Sequence, residues 1–468
     1  MDTPRSSSML DTPKTLSTTT SILSVKPGDP PSYEEEKAVG QEATWSPEPF
    51  SRSLWQKGDQ ALAHAWTAYL KTLIPALLLI TITIFAMFAM FWGALWKIPT
   101  QPISGWIVDF DGGEIGQAVV QGLTAPEVTF IRWTTIPSTQ FAVGVSGLMD
   151  AMKDEKAWVA VAINDGATAR LQASISSPNA SYDGTMAITA FGVEARNENA
   201  YRNYVRQALQ DSLDDIRLNF TTRLASQISS TPNLASLLSI SPQTVINPVS
   251  YQIVNLLPFS QPVATAATFV GLIFLMIMTF FVVIFSNAAR LASGLGGMLT
   301  LRSLIAFRLL SSFVAYFILS LWYSLLNLAF KLDIHHTFGK GGFVVFWMAT
   351  WVYMLAVGMA LESLILILKQ FVPFFLIAWI IVNASINLYP LEVLPKFFHY
   401  GYGAPFYNYS KIIRTIVFGT KNELGLHFGV LIVWIAISCI SLAIIQWNAR
   451  RLDLKGIKEK KEAAKRSP

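Results

Sequence analysis

Six apolar runs, each close to the length of a bilayer-crossing helix, constrain this chain more than any other feature: Leu73–Leu95, Ala264–Phe285, Ile305–Phe330, Phe343–Leu361, Phe371–Leu388 and Leu426–Gln446. A helix needs about 20 apolar residues to cross the hydrocarbon core. It satisfies its own backbone hydrogen bonds there, which an irregular chain cannot do. Only 14% of the residues are charged, against about a quarter in ordinary soluble domains. The expected fold is a polytopic α-helical membrane protein with six transmembrane helices, one before and five after an extracytoplasmic α/β domain.

The chain divides by composition. Residues 1–52 are rich in Ser, Thr, Pro and Glu, without an apolar period, and read as a disordered cytosolic tail. Residues 53–72 carry Leu54, Trp55, Leu62, Trp66, Tyr69 and Leu70 near helical spacing, which predicts an amphipathic interfacial helix. The first transmembrane helix occupies 73–96 and is expected to act as an uncleaved signal-anchor. The external domain covers 97–263, the five-helix domain 264–447, and a basic cytosolic tail 448–468.

Basic residues set the expected orientation. Arg290 and Arg302 lie between the second and third spans, and Arg450, Arg451, Lys455 and Lys458 follow the last. Both places are expected in the cytosol, which puts both termini inside. Lys396, Lys411, Arg414 and Lys421 pull the other way, in a connection that this orientation leaves outside. Three glycosylation acceptors, Asn179, Asn219 and Asn408, then fall outside. The net charge of +5 gathers around membrane-flanking segments, which argues for orientation in a bilayer and against nucleic-acid binding.

Within the external insert, Gly105–Phe110 reads as a strand that turns at Asp111-Gly112-Gly113 into a helix near Glu114–Leu123. Further strands are predicted at Ala157–Ile163 and Thr185–Val193. Tyr201, Val205, Leu209, Ile216, Phe220 and Leu224 then share one face of a long helix. A single cysteine, Cys439, excludes an intramolecular disulfide, so packing alone must hold this domain.

Catalytic patterns are missing. Gly294-Leu295-Gly296-Gly297 lacks the Lys-Ser/Thr and the preceding strand of a phosphate-binding loop, and reads as a flexible turn. Asp333, His335 and His336 are metal-ligand types, but adjacent side chains rarely aim at one ion, so no metal and no other cofactor is expected. The chain is not expected to be an enzyme. Glu362 closes the fourth span; at the cytosolic interface it would merely snorkel, and if it faces the bundle interior it is the candidate for a proton or cation relay. Pro30-Pro31-Ser32-Tyr33 has the Pro-Pro-X-Tyr form read by WW domains, which makes a WW-domain ubiquitin ligase an expected partner through Pro30, Pro31 and Tyr33.

The stretch near 390–410 is too aromatic for a free loop and too broken by Pro and Gly for a span, so it reads as a re-entrant or interfacial segment. Its candidate functional residues are Glu392, Tyr402 and Tyr407. Tyr400–Asn408, Arg414–Lys421, the Val108-Asp109-Phe110-Asp111 segment and the one-plus-five layout together resemble the fungal nitrosoguanidine-resistance protein family. That family is in turn similar to ABC-2-type permeases and the phage-infection-protein group. The resemblance implies a plasma-membrane exporter or export-linked permease for toxic small molecules, and its ABC-2-type relatives use a separate ATPase subunit. Because the chain has no phosphate-binding loop of its own, energy is expected from such a partner or from an ion gradient, with Glu362 the candidate relay. The alternative is a non-transporting organiser or regulator of lipid or stress responses. A polar stripe facing the bundle interior would favour transport, and apolar packing on every face would favour the organiser.

Overall fold

The computed structural model describes residue 53, residues 58–125 and residues 130–466. The predicted tail over residues 1–52, with Pro30, Pro31 and Tyr33, lies outside the described residues.

Among the described residues, five helices are long and apolar enough to cross a membrane. They are α1 (Gln60–Leu95), α6 (Ala266–Ala292), α7 (Leu301–Ala329), α8 (Gly339–Leu368) and α11 (Leu424–Arg466). Residues 60–72, predicted as an interfacial helix, are the first turns of α1, and the basic C-terminal segment continues α11 as far as Arg466. The predicted fifth span, Phe371–Leu388, differs: its helix, α9, covers only Val372–Ser385. At 1.5 Å per residue its 14 residues make about 21 Å, short of the roughly 30 Å hydrocarbon core. The chain turns into α9 at Lys369 (φ 48°), and Ile386 onward leaves helical geometry before Pro390.

Between α1 and α6 lies a mixed α/β domain. Among the described residues its five strands are β1 (Ile103–Asp109), β2 (Ile131–Thr135), β3 (Val159–Ile163), β4 (Ile188–Gly192) and β5 (Tyr251–Asn255), in spatial order β2-β1-β3-β4-β5. Only the β3–β4 pairing is antiparallel. The helices include α2 (Glu114–Leu123), α3 (Val145–Lys153), α4 (Ala167–Ser176) and α5 (Arg206–Ile228). The strand period of two sorts side chains to opposite faces. Val159, Val161 and Ile163 pack with Ile115, Leu171 and the α5 residues Leu209, Leu213, Ile216 and Phe220, whereas Ala160 and Ala162 face Leu148 and Met152 of α3. Asp109 closes the turn out of β1: its carboxylate accepts from the amides of Asp111 and Gly112, both at 2.9 Å.

In the bundle, α8 is central. Every residue from Tyr353 to Ser363 is buried, as expected of a helix apolar all round. Gly358 lets the Tyr316 ring of α7 lie against this helix, where a Cβ would stand 2.4 Å from the ring. A buried helix, α10 (Pro405–Phe418), sits between α8 and α11 and touches the α/β domain through Arg414 and Lys411.

Candidate functional site

Two charge clusters distinguish this structure from a purely apolar bundle. The first joins the α/β domain to the segment between α9 and α11. Arg196 lies 4.0 Å over the Trp158 ring, donates to the carbonyls of Glu155 and Ala157 at 3.1 Å each, and pairs with Glu155 at 3.4 Å. Its other nitrogen donates to both carboxylate oxygens of Glu392, at 2.8 and 3.1 Å, and the Trp158 indole N–H also donates to Glu392. Lys411 of α10 reaches Glu155 at 3.2 Å, and Arg414 reaches Glu198 at 2.6 Å while donating to the Ala195 carbonyl. Neutral bonds add to these contacts. Thr100 donates from both backbone and side chain to the Val393 carbonyl, and Asn199 donates to that of Leu388.

Burial raises the carboxyls of Glu155 and Glu198, but the cations beside them outweigh it. Lys411 and Arg196 hold Glu155 below its ordinary value, and Arg414 does the same for Glu198. A depressed carboxyl contributes stability that is present above its unfolded pKa of about 4.5 and is lost as pH falls through the folded value. The junction is therefore expected to hold above pH about 4.5 and to loosen as the pH falls below it through the folded values. Hydrogen exchange of residues 386–404 as a function of pH measures this, and a flat profile over that range contradicts it.

The structure brings Glu392, Tyr402 and Tyr407 together. They line, with Trp158, Arg196 and Lys411, a cavity of about 30 Å³, room for about one water and not for a drug-sized molecule. Tyr402 and Tyr407 meet edge-on at 5.6 Å, and Tyr407 meets His427 at 6.3 Å. Asn408 is not a glycan acceptor here. It is 1% exposed, its amide donates to the Tyr402 and Ala404 carbonyls, and its oxygen lies 2.9 Å from His427 Nδ1, so a sugar has no space. Asn179 and Asn219 are exposed. Asp333 and His335 serve their own turn: the carboxylate accepts from the His335 amide, and His335 Nδ1 lies 2.8 Å from the Gly339 carbonyl.

The second cluster lies deep in the bundle. α6 leaves the domain at Ala266 and reaches Arg290 about 36 Å further along its axis. There Arg290 and Arg308 of α7 both stand 2.8 Å from the same oxygen, Oε1 of Glu362 on α8. Arg308 also donates to the Glu362 carbonyl and, through Nη1, to Gln446 of α11. Glu362 is fully buried, and Arg308 and Arg290 are 3% and 7% exposed. Two cations share one carboxylate, so the cluster is an ion-pair hub tying four helices, with charge to spare. Among the described residues, Glu362 Oε2 and Arg290 Nη1 have no hydrogen-bond partner.

Sequence reasoning found Glu362 and Glu392 but not the arginines that engage them. Arg308 carried a usable signal. It lies inside the predicted span Ile305–Phe330, and a cation there requires a partner from another span, for which Glu362 is the natural acid. Arg196 carried none, because it precedes Glu392 by 196 positions in a polar stretch.

Comparison with known proteins places these features in context. Residues 76–440 match a family model described as "Protein of unknown function (DUF3533)". The chain is also similar to an uncharacterized endoplasmic reticulum membrane protein of Saccharomyces cerevisiae. The two are 25% identical over 417 residues, covering 82% of this chain and 81% of that protein. No solved structure matches the chain.

Proposed function

We propose a transport role for this chain, which belongs to the DUF3533 family: an exporter or export-linked permease that confers tolerance of toxic small molecules such as nitrosoguanidine. One observation carries the reading. Arg308, Ser312, Tyr316, Ser320, Ser324 and Asn327 form a buried polar stripe along α7. From Arg308 to Asn327 it runs about 28 Å, close to the full hydrocarbon thickness. Polar groups at such depth are costly, and in membrane bundles they commonly mark a path for polar or ionic cargo. The substrate class comes from the sequence resemblance. Energy would come from a separate ATPase subunit or an ion gradient.

The orientation that fits has both termini in the cytosol and the α/β domain outside. Lys411 and Arg414 are engaged by Glu155 and Glu198, so they weigh little against the denser basic residues of the C-terminal helix. The similar yeast protein is named for the endoplasmic reticulum, which makes that membrane the first to examine by fluorescence microscopy, and the plasma membrane the second.

The reading is tested by intracellular drug accumulation in cells with and without the protein. Loss is expected to raise accumulated nitrosoguanidine and sensitise the cells. Equal accumulation despite altered resistance defeats export. It would favour the second reading, a membrane organiser or regulator, for which the specific support is the welded domain–bundle junction with its water-sized cavity.

A further inference from the structure

With Asn408 buried, two acceptor motifs for N-linked sugar stay on the surface of the α/β domain, and the fold treats them differently. Asn219 stands within α5. Phe220 beside it is buried in the core, and the Thr221 hydroxyl is spent on the helix backbone, donating to the Arg217 carbonyl at 2.7 Å. Asn179 lies on the loop that follows α4 and is exposed. Its Oδ1 accepts from the Ser181 amide at 2.9 Å and from the Ser181 hydroxyl at 2.8 Å. This Asx turn joins the two side chains that the motif requires. It leaves Nδ2, the atom that takes the sugar, without a hydrogen-bond partner among the described residues. The loop itself is pinned. The Asn179 carbonyl accepts from Ser241 Oγ at 2.8 Å, and the Ala180 carbonyl from Gln243 Nε2 at 2.9 Å.

Asn179 also borders a cavity of about 1000 Å³ at the end of β3, lined by Asn164, Asp165, Arg170, Tyr182 and Gln252. Asn164 and Gln252 direct amide N–H groups to Thr189 Oγ1, at 2.9 and 3.1 Å, which leaves their carbonyl oxygens as acceptors. The Asp165 side chain adds a carboxylate, and Arg170 braces the wall by donating to the Asp165 and Met186 carbonyls at 2.7 and 3.3 Å. Acceptors held on such a frame suit the hydroxyl donors of a sugar. The volume is that of a large small-molecule pocket, about 300–1,000 Å³, with room for the first sugars of a glycan. We propose that Asn179 carries an N-linked glycan whose first sugars lie in this cavity. The inference rests on the orientation given above, with the α/β domain outside the cytosol. The donor is a lipid-linked oligosaccharide diphosphate. A bond forms between Asn179 Nδ2 and the anomeric carbon, and the bond from that carbon to the diphosphate breaks. Nδ2 gives up a proton, and the lipid diphosphate leaves.

The test uses the tagged full chain expressed in yeast, with endoglycosidase digestion read as a gel shift and protease protection of the α/β domain read in sealed microsomes. A protected domain and a single glycan are expected. The shift is expected to vanish in Asn179→Gln and in Ser181→Ala, and to persist in Asn219→Gln and Ser181→Thr. A protected domain without a glycan, or a shift that survives Asn179→Gln, overturns the proposal and leaves the orientation standing. A domain digested from the cytosolic side overturns both. Placement of the sugars is tested by the rate of endoglycosidase cleavage in mild detergent. The folded protein is expected to be cut about tenfold or more slowly than the denatured one, the scale of a net hydrogen bond or two between sugar and wall. Asp165→Ala with Gln252→Ala is expected to keep the glycan and bring the folded rate toward the denatured one. Equal rates for the unaltered protein, folded and denatured, overturn the placement in the cavity.

Discussion

Glu362→Ala is expected to remove most of the folded protein from the membrane. The substitution strands Arg290 and Arg308, both nine-tenths buried or more, without the carboxylate that compensates them. Breaking a buried pair by removing one partner costs about 3–5 kcal/mol, a large share of the 5–15 kcal/mol that stabilises a typical domain. The loss falls on α6, α7, α8 and α11 together, since Arg308 also bonds Gln446. Fluorescence-detected size exclusion of a tagged protein reads the effect as a collapsed monodisperse peak. A second variant separates structure from relay chemistry. Arg290→Met and Arg308→Met with Glu362→Met removes all three charges together and is expected to recover part of the peak, because apolar replacement of a buried ion cluster is often tolerated. A normal peak for Glu362→Ala would show that the hub contributes little, and would return Glu362 to the role of a relay.

Arg196→Ala is expected to have the next largest effect, through a different part of the molecule. It deletes the cation stacked on Trp158, two hydrogen bonds to carbonyls and the pairs to Glu155 and Glu392. Glu155 is 8% exposed, so its lost partner matters. Glu392 is about half exposed, and its share is reduced by solvent. The sum is about 3 kcal/mol or more, dominated by the buried side. Because the bundle cluster is untouched, the protein is expected to remain in the membrane with the segment at 386–404 newly open to protease. Cleavage no faster than in the unaltered protein would mean that the neutral bonds of Thr100 and Asn199 suffice to hold the junction.

The sequence was informative where physics acts locally. Bilayer-length apolar runs made the long helices legible. The turn at Asp111-Gly112-Gly113 placed α2, and a shared apolar face placed α5. β2 and β5 escaped. In β2 only Ile131 is buried, and in β5 no residue is, so neither shows the alternation that marks a half-buried strand. α9 was overestimated because Phe371–Leu388 is apolar over a spanning length, while Asn383 and Ser385 bond within their own helix and Asn387 turns away to the Thr268 carbonyl. Composition gives no warning of that turn. The charge clusters escaped for a general reason: Arg308–Glu362 and Arg196–Glu392 join residues 54 and 196 positions apart, and no local pattern encodes such pairings.

The wide separation of the junction partners also sets an order of events during biogenesis. Glu155 and Lys411 are 256 positions apart, and Arg414 and the Ala195 carbonyl 219. At translation rates of about 5–20 residues per second, the α/β domain waits on the order of ten seconds or more after its synthesis before α10 exists. Throughout that interval Arg196 and Glu155 have each other, but Glu155 lacks Lys411, Glu198 lacks Arg414 and Arg196 lacks Glu392. Docking is thus a late step, taken only once all but the last helix has been made. A nascent chain stalled before α10 displays an open, charged face that the finished protein conceals, which gives the cell's quality-control machinery a direct way to tell the unfinished molecule from the complete one.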